Sequence, residues 1–440
     1  MALGGGSFLT QNKILPGSYI NFVSSGDSAN IFGERGTGAI GIELDYFTGD
    51  LQEIIVITKE DFLKNSLAIF GYEYSDEEVA WVKDFFKNGK TLIVGALNSN
   101  GAAKASNTYC TAKSYGQRGN DLKIVIQTNV DETNKFDVST YLGTTVVDKQ
   151  TVAKITDIKD NDFVAFKMNA TLSETAGANL SGGKSGTVTG STVQKFLTNL
   201  ESYNFNAVTV CGHNDDLLVE WTKRMRDEVG KKFQCVVYDV TKPDYEGCVC
   251  IAGAGYGDFE NTAPWVCGAL SGCEINKSLT NKIYDGEYLS QEDALYYASS
   301  YSQTELEDLI NKGVFAFHRV GNEVRVLADI NSLVTTTAEK SDLFCSNQTM
   351  RVCDQIGMDI ATIFNTRYLG VMPNDNAGRI ALWADIVKYM KNLETLRAIE
   401  NFTDTDVVVE QGNVKKAVVV NTPITVVNCM EQLYMTVKVN

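Results

Sequence analysis

Chemistry has few places to reside in this sequence. Two histidines occur, His213 and His318. His213 follows an apolar run, 207–211 (AVTVC), within the string CGHNDD. In open α/β sheets, active sites gather outside the C-terminal ends of the strands. Joined to Asp215 or Asp216 and to Ser271, His213 would complete the residue types of a Ser-His-Asp hydrolase, with the imidazole taking the serine proton and the carboxylate orienting the ring. No GxSxG elbow is present, and nothing in the spacing identifies a nucleophile. A strand-to-helix turn with Asn214 or Asp215 as the helix cap needs the same residues and no catalysis, and it is the preferred reading. His318, in VFAFHRV, is expected to be a half-exposed strand residue. No catalytic residue is therefore assigned. An α/β hydrolase or protease acting through His213 stands as the alternative function.

Gly183-Lys184-Ser185 has the tail of a phosphate-binding loop. The full pattern requires glycine five positions before Gly183, where Ala178 stands, and neither an apolar strand before it nor an apolar helix after it frames the segment. Gly253, Gly255 and Gly257 (AGAGYGD) follow an apolar run, but the third spacing of a dinucleotide fingerprint is wrong and no acid is suitably placed beyond it. A glycine-rich turn accounts for them. The ten cysteines are scattered without a CxxC pair; the closest are Cys248 with Cys250 and Cys267 with Cys273. Neither spacing is that of a zinc site. Most sit in apolar runs (FQCVVYD, EGCVCIA) and read as small buried core residues in a reducing compartment. No cofactor and no metal is expected.

The elements that would position these residues are those of an ordinary globular chain. Its 440 residues suggest two to four domains, and 44% hydrophobic with 21% charged residues is enough to bury a core. A net charge of −16 repels phosphate backbones, which argues against nucleic acid as a partner. The first residues lack a long apolar stretch and no run of 18 apolar residues occurs, so neither a signal peptide nor direct membrane insertion is expected.

Periodicity divides the chain. After a small, polar leader, residues 18–23 (SYINFV) read as a strand, with Ile20 and Phe22 on one face and Tyr19 on the other. Residues 39–44, 52–57 and 91–94 read as strands and 77–87 as a helix. Short β-runs at 109–113, 122–127, 136–141 and 164–167 signal an antiparallel β-domain, closed by a Gly/Ser/Thr-rich stretch, 181–191, that looks like a linker. From 193 to 270 helices (193–202, 217–229, 262–270) alternate with strands (207–211, 234–239, 248–252), the pattern of a sheet with parallel strands covered by helices. Two helices, 351–364 and 379–399, precede a β-rich end with runs at 415–420 and 433–440. In the last, Leu433, Met435, Val437 and Val439 alternate with polar or aromatic residues, as in a half-buried strand. The second helix is expected to show an apolar face of Ile380, Leu382, Trp383, Ile386, Val387, Met390 and Leu393, with Lys388 and Lys391 on the opposite side.

Several of these segments, in order, resemble those of phage tail sheath proteins. The leader LPGSYINFVS is similar to the family's N-terminal strand. Residues 112–126 (AKSYGQRGNDLKIVI) resemble the segment that opens its β-sandwich domain. SLTN (278–281) and residues 313–331, ending in Ile330-Asn331, resemble a Ser-x-Thr motif before a strand pair. Arg351-x-x-Asp354, Gly370, Asn374-Asp375 and Gly378-Arg379 resemble its C-terminal domain.

The resemblance implies a mixed, multidomain α/β and β protein: an α/β core of subtilisin-like fold (fold only, without the triad), an inserted antiparallel β-sandwich, an α+β C-terminal domain and extended terminal β-arms. The implied division is an N-terminal arm, 1–33; an α/β segment packing with the core, 34–100; the sandwich, 101–185; the α/β domain, 186–335; tube-facing helices, 336–405; and C-terminal strands with a swapped arm, 406–440. Function would be structural. Subunits would stack as helical, hexameric rings around an inner tail tube protein, with baseplate and tail-terminator proteins at the ends, and contract to drive the tube through an envelope. Arms carrying Tyr19, Ile20, Phe22, Leu433, Met435, Val437 and Val439 would pair with neighbouring subunits, and Lys388 and Lys391 would face the tube. Assembly would occur in the bacterial host cytoplasm, for the tail of a Gram-positive myophage or an R-type bacteriocin such as a diffocin.

Overall fold

The computed structural model describes residues 33–48, 54–212, 216–238, 243–252 and 259–439. The chain divides into a short unit, Met1–Glu34, of which the last two residues are described, and a unit spanning Arg35–Asn440. The expected leader strand with Tyr19, Ile20 and Phe22 lies outside the described residues, as do His213 and the turn with Gly253, Gly255 and Gly257.

In the larger unit, β1 (Thr37–Ile42) is buried along nearly its whole length, as a strand covered on both faces must be. β2 (Ile54–Thr58) leads directly into α1 (Lys59–Phe70), a helix that periodicity did not suggest. Its start is fixed by a capping box between Thr58 and Asp61, and it ends at Gly71 in the left-handed region, φ 77°. After α2 (Ala80–Phe86), β3 (Thr91–Ala96) returns to pair with both β1, in parallel, and β2, antiparallel.

The chain then leaves the sheet to build a second module. Strands β4 (Lys104–Ser106), β5 (Cys110–Tyr115), β6 (Leu122–Thr128), β7 (Phe136–Leu142), β8 (Thr145–Val152), β9 (Val164–Phe166) and β10 (Thr175–Asn179) form two antiparallel sheets, ordered β10-β6-β7-β8 and β4-β5-β9. Strict alternation puts Leu122, Ile124 and Ile126 of β6 inward, against Cys110, Ala112, Val138, Leu142, Val164 and Phe166. The Gly/Ser-rich stretch expected as a linker is instead the second leg of a two-stranded neck. Ser181, Lys184 and Thr187 bridge antiparallel to Ser106, Ala103 and Asn100. The Gly183-Lys184-Ser185 tripeptide is part of this neck: the Asn120 side chain brackets Gly183, donating to its carbonyl at 2.9 Å and accepting from its amide at 2.8 Å.

Back in the sheet, α3 (Gly190–Leu200), β11 (Ala207–Val210), α4 (Asp216–Arg224, extended by a π turn over Met225–Val229), β12 (Gln234–Tyr238), β13 (Cys248–Ile251), α5 (Ala263–Gly272), α6 (Gln291–Ser299), α7 (Gln303–Asn311) and β14 (Val314–Phe315) complete a seven-stranded order, β14-β13-β12-β11-β1-β3-β2. All neighbours are parallel except β2 with β3. The sandwich is thus an insertion between β3 and α3. One sheet face carries α2 and α5, whose Phe85 and Trp265 pack with Tyr284 and Phe317; the other carries α3 and α4, with Phe196, Leu197, Trp221 and Met225 around Phe233. The hairpin β15 (Phe317–Val320) and β16 (Glu323–Val326) follows, with His318 half-buried as expected. Then come α8 (Asn347–Arg367), α9 (Asn376–Thr395), β17 (Ile399–Glu400), β18 (Val408–Gln411), β19 (Val418–Asn421) and β20 (Thr425–Val426).

The sandwich docks on the sheet by close backbone approach. Gly116, at φ +108°, lies so near Asp45 that a Cβ there would stand 1.9 Å from its carbonyl oxygen. Gly116→Ala is therefore expected to lower stability by about 3 kcal/mol or more, read from the urea midpoint. Gly143→Ala, at φ +60° in open space, is the control and should cost about 1–2 kcal/mol.

Candidate assembly surfaces and the joints that position them

The Ser-His-Asp alternative loses its nucleophile. Ser271 is fully buried near the end of α5, and its Oγ lies against Gly38. Gly38 pairs in register with Ala207, at the start of β11, whereas residue 213 follows the end of that strand. The sheet therefore holds Ser271 at the N-terminal edge of its strands, opposite the edge where a strand-end site would form.

The buried face of α8 is largely polar. Arg351, Asp354, Gln355 and Asp359 are buried beside Val352 and Ile363, while Ile356 and Ile360 are half-exposed. The reason lies across the joint with the sheet domain. Arg226, on the π turn after α4, reaches Asp354 with both terminal nitrogens, at 2.7 and 2.8 Å, and also donates to the Phe233 carbonyl. In the opposite sense, Arg351 donates to Asp329 and to the Lys277 carbonyl. Asp329 in turn accepts from the amide of Leu279 at 2.9 Å, and its own amide donates to the Thr280 hydroxyl. Asn347, at the start of α8, accepts from Gln234 of β12 at 2.7 Å and donates to the Ile330 carbonyl. A buried charge without its partner is strongly unfavourable, so each arginine here comes with its aspartate.

The same turn of α8 holds the root of the C-terminal arm. Gln348 donates to the Val427 carbonyl at 3.1 Å and accepts from the Cys429 amide at 3.0 Å; Thr349 reaches the Asn428 side chain. β20 pairs with β17 just before, and Thr280 donates to Glu431 just after. Beyond that point the chain is bare. Leu433, Met435, Val437 and Val439 are 87, 74, 69 and 91% exposed, and among the described residues no strand pairs with them. The half-buried strand read from alternation is therefore not buried by its own chain.

The C-terminal strands leave a second open edge. β18 and β19 form a two-stranded hairpin, Val408 opposite Asn421, with Val408, Val414 and Val419 exposed. Asn374 pins its turn by donating to the Lys415 and Ala417 carbonyls, and Trp383 of α9 donates to the Val407 carbonyl.

On α9 the expectation needs correction. The helix ends at Thr395 rather than Ile399, which belongs to β17, and the reversal runs through Arg397 at φ 58°. Leu382, Ile386, Val387, Met390 and Leu393 are buried and Trp383 is half-buried, but Ile380 is 55% exposed. Tyr389, fully buried and donating to Asp359 at 2.9 Å, completes the inner face and was not anticipated. Burial and that carboxylate push its phenol well above the ordinary range. Lys388 and Lys391 are both exposed, on the expected side, but Lys391 is paired with Asp404 at 2.7 Å. The strip is partly neutralised by its own chain.

Comparison with known proteins accounts for this arrangement. Residues 99–185, 186–332 and 339–440 match, in turn, the phage tail sheath protein beta-sandwich domain, the phage tail sheath protein central domain and the phage tail sheath C-terminal domain. The structure is similar to the crystal structure of the sheath tail protein from Desulfitobacterium hafniense, with a TM-score of 0.79, 32% identity and coverage of 95% of this chain and 99% of the other. In sequence it is 29% identical to the phage-like element PBSX protein XkdK of Bacillus subtilis, over the full length of both. A fold likeness at 9% identity and a TM-score of 0.55 extends to the helical sheath of the anti-feeding prophage in its contracted state, covering 96% of this chain and 98% of that one. The chain belongs to the phage tail sheath family. Among the described residues, no helix is long and apolar enough to cross a membrane.

The joint is testable in the unassembled chain. Asp354→Ala leaves the Arg226 guanidinium, 2% exposed, without its carboxylate and should cost about 3–5 kcal/mol. Replacing both partners, Arg226→Met with Asp354→Leu, should restore most of that loss, as read by urea unfolding.

Proposed function

We propose that the chain is the subunit of a contractile sheath, stacked as helical, hexameric rings around an inner tail tube, and that it performs no covalent chemistry. The observation that carries this reading is the arm: an alternating apolar segment whose root is clamped by Gln348 and Thr349 and whose far half is exposed. In this reading Leu433, Met435, Val437 and Val439, with Tyr19, Ile20 and Phe22 of the leader, add as strands to a neighbour, and the β18–β19 hairpin is the acceptor. Strand addition uses main-chain hydrogen bonds, each contributing about 0.5–1.5 kcal/mol, so the links persist while rigid bodies rotate around them. Head-to-tail contacts that do not close build a helix. Contraction is then a change between two packings of the same subunits, driven by the assembled lattice. The division into arm (1–33), α/β segment (34–100), sandwich (101–185), α/β domain (186–335), tube-facing helices (336–405) and terminal strands (406–440) belongs to this proposal. So do the tube, baseplate and terminator partners, assembly in the bacterial host cytoplasm, and residence in a virion or bacteriocin tail. The fold likeness to a contracted helical sheath supports it.

Truncation after Asn428 removes the exposed arm together with Cys429 and Glu431, and keeps the root contacts of Gln348 to Val427 and of Thr349 to Asn428. It should yield a folded monomer with an unchanged urea midpoint that forms no tubes by electron microscopy. Normal sheath from that truncation would overturn the reading.

The tube-facing surface is assigned to α9, with Lys388 as the charge its own chain leaves unpaired among the described residues and Lys391 exchanging Asp404 for the tube. Exposed pairs contribute about 0–1 kcal/mol each, enough when repeated around a tube to set register, and weak enough to release. Lys388→Glu with Lys391→Glu should reduce the yield of extended sheath on tubes in moderate salt. An undiminished yield makes this face an ordinary solvated one.

A further inference from the structure

Two of the buried cysteines stand as partners. Cys235 of β12 and Cys248 of β13 are directly opposed in the parallel register, and their sulfurs are 3.0 Å apart. Both side chains point to the sheet face covered by α3 and α4, among Phe233, Val237 and Tyr245, and both are fully buried. Neighbouring strands lie about 4.7–4.9 Å apart, inside the roughly 4.4–6.8 Å Cα separation that a disulfide tolerates. Closing to a bond of about 2.05 Å therefore asks the sulfurs to approach by about 1 Å. Cys250, next on the same face, opposes Val237 rather than a cysteine. Among the described residues, no group of three His, Cys, Asp or Glu side chains is placed to hold a metal ion, so a shared metal is not the reason for the pairing.

We propose that Cys235 and Cys248 are an oxidation site, a thiol pair that closes to a cross-strand disulfide when the protein passes from a reducing to an oxidising medium. The oxidant is a small-molecule disulfide. One thiolate attacks it and releases one small thiol, leaving a mixed disulfide. The second cysteine displaces the other small thiol as the protein sulfur–sulfur bond forms. Two protein thiols are oxidised and one small disulfide is reduced to two thiols. Burial makes the reaction wait on local opening of α4 over β12, so it is slow in the folded protein. Its effect falls on the joint described above. Gln234, adjacent to Cys235, holds Asn347, and Arg226, on the turn entering β12, holds Asp354. A covalent tie between β12 and β13 stiffens the body from which α8 hangs.

The full chain, purified reduced, is incubated with oxidised glutathione under native conditions. It is then acid-quenched, alkylated in denaturant, digested and mapped by mass spectrometry. The expected product is one peptide pair joined through Cys235 and Cys248, with two of the ten thiols lost, reversal by dithiothreitol, and a urea midpoint above that of the reduced protein. Cys248→Ser should show neither the cross-link nor the midpoint shift; the mapping of the wild-type chain decides the matter even if that variant folds poorly. The proposal is overturned if exposed Cys429 is converted while Cys235 and Cys248 are recovered as separate alkylated thiols. A 235–248 link that appears only once urea has unfolded the chain also overturns it.

Discussion

Two crossed ion pairs hold the C-terminal helices to the sheet domain, and the remaining geometry depends on them. One runs from an arginine of the sheet domain to an aspartate of α8, Arg226 to Asp354; the other runs from an arginine of α8 to an aspartate of the sheet domain, Arg351 to Asp329. A buried pair of this kind contributes little net stability over a well-packed apolar contact. Its influence is on alternatives. The two charges on α8 have opposite signs and lie three residues apart, so sliding the helix by a turn or rotating it would bury both unpaired. An apolar seam would tolerate several registers, and this one tolerates a single register.

The arm inherits that register. Gln348 and Thr349, which clamp residues 427–429, lie on the turn of α8 just before Arg351. The direction in which Leu433–Val439 leaves the body is therefore set by the same turn that meets Asp329. The segments shared with sheath proteins fall at such joints. Ser278 and Thr280 form a local turn tied to Asp329, Arg351 and Asp354 meet the sheet domain, Asn374 and Asp375 hold the hairpin and cap α9, and Asn120 brackets the neck. In this chain the resembling residues fix how rigid pieces meet.

Legibility in the sequence followed how local each signal was. The central strands and the sandwich face of Leu122, Ile124 and Ile126 were readable because burial imposes a period on consecutive residues. α1 was missed because its buried positions, Phe62, Ser66 and Phe70, are few and one is a hydroxyl. β8 was missed because it is mostly exposed and polar. The inward face of α8 was legible only in part: Val352 and Ile363 are buried, but the partners that make Arg351 and Asp354 internal stand more than twenty and more than a hundred residues away in sequence. The same non-locality hid Asp404 beside Lys391. The paired cysteines were visible as residues but not as partners, since parallel register is set by the whole sheet.

The neck of the sandwich has a consequence for how such chains change over time. Residues 100 and 187 are antiparallel bridge partners, so the module begins and ends at one spot on the rim of the sheet. β3 and α3, on either side of that spot, belong to a layered body whose strand order does not involve the intervening residues. A segment with touching ends can be lengthened, exchanged for another fold or deleted, and a short turn would then rejoin the flanking elements. The sandwich can diverge in this way while the parallel sheet, the crossed charges and the arm root stay as they are.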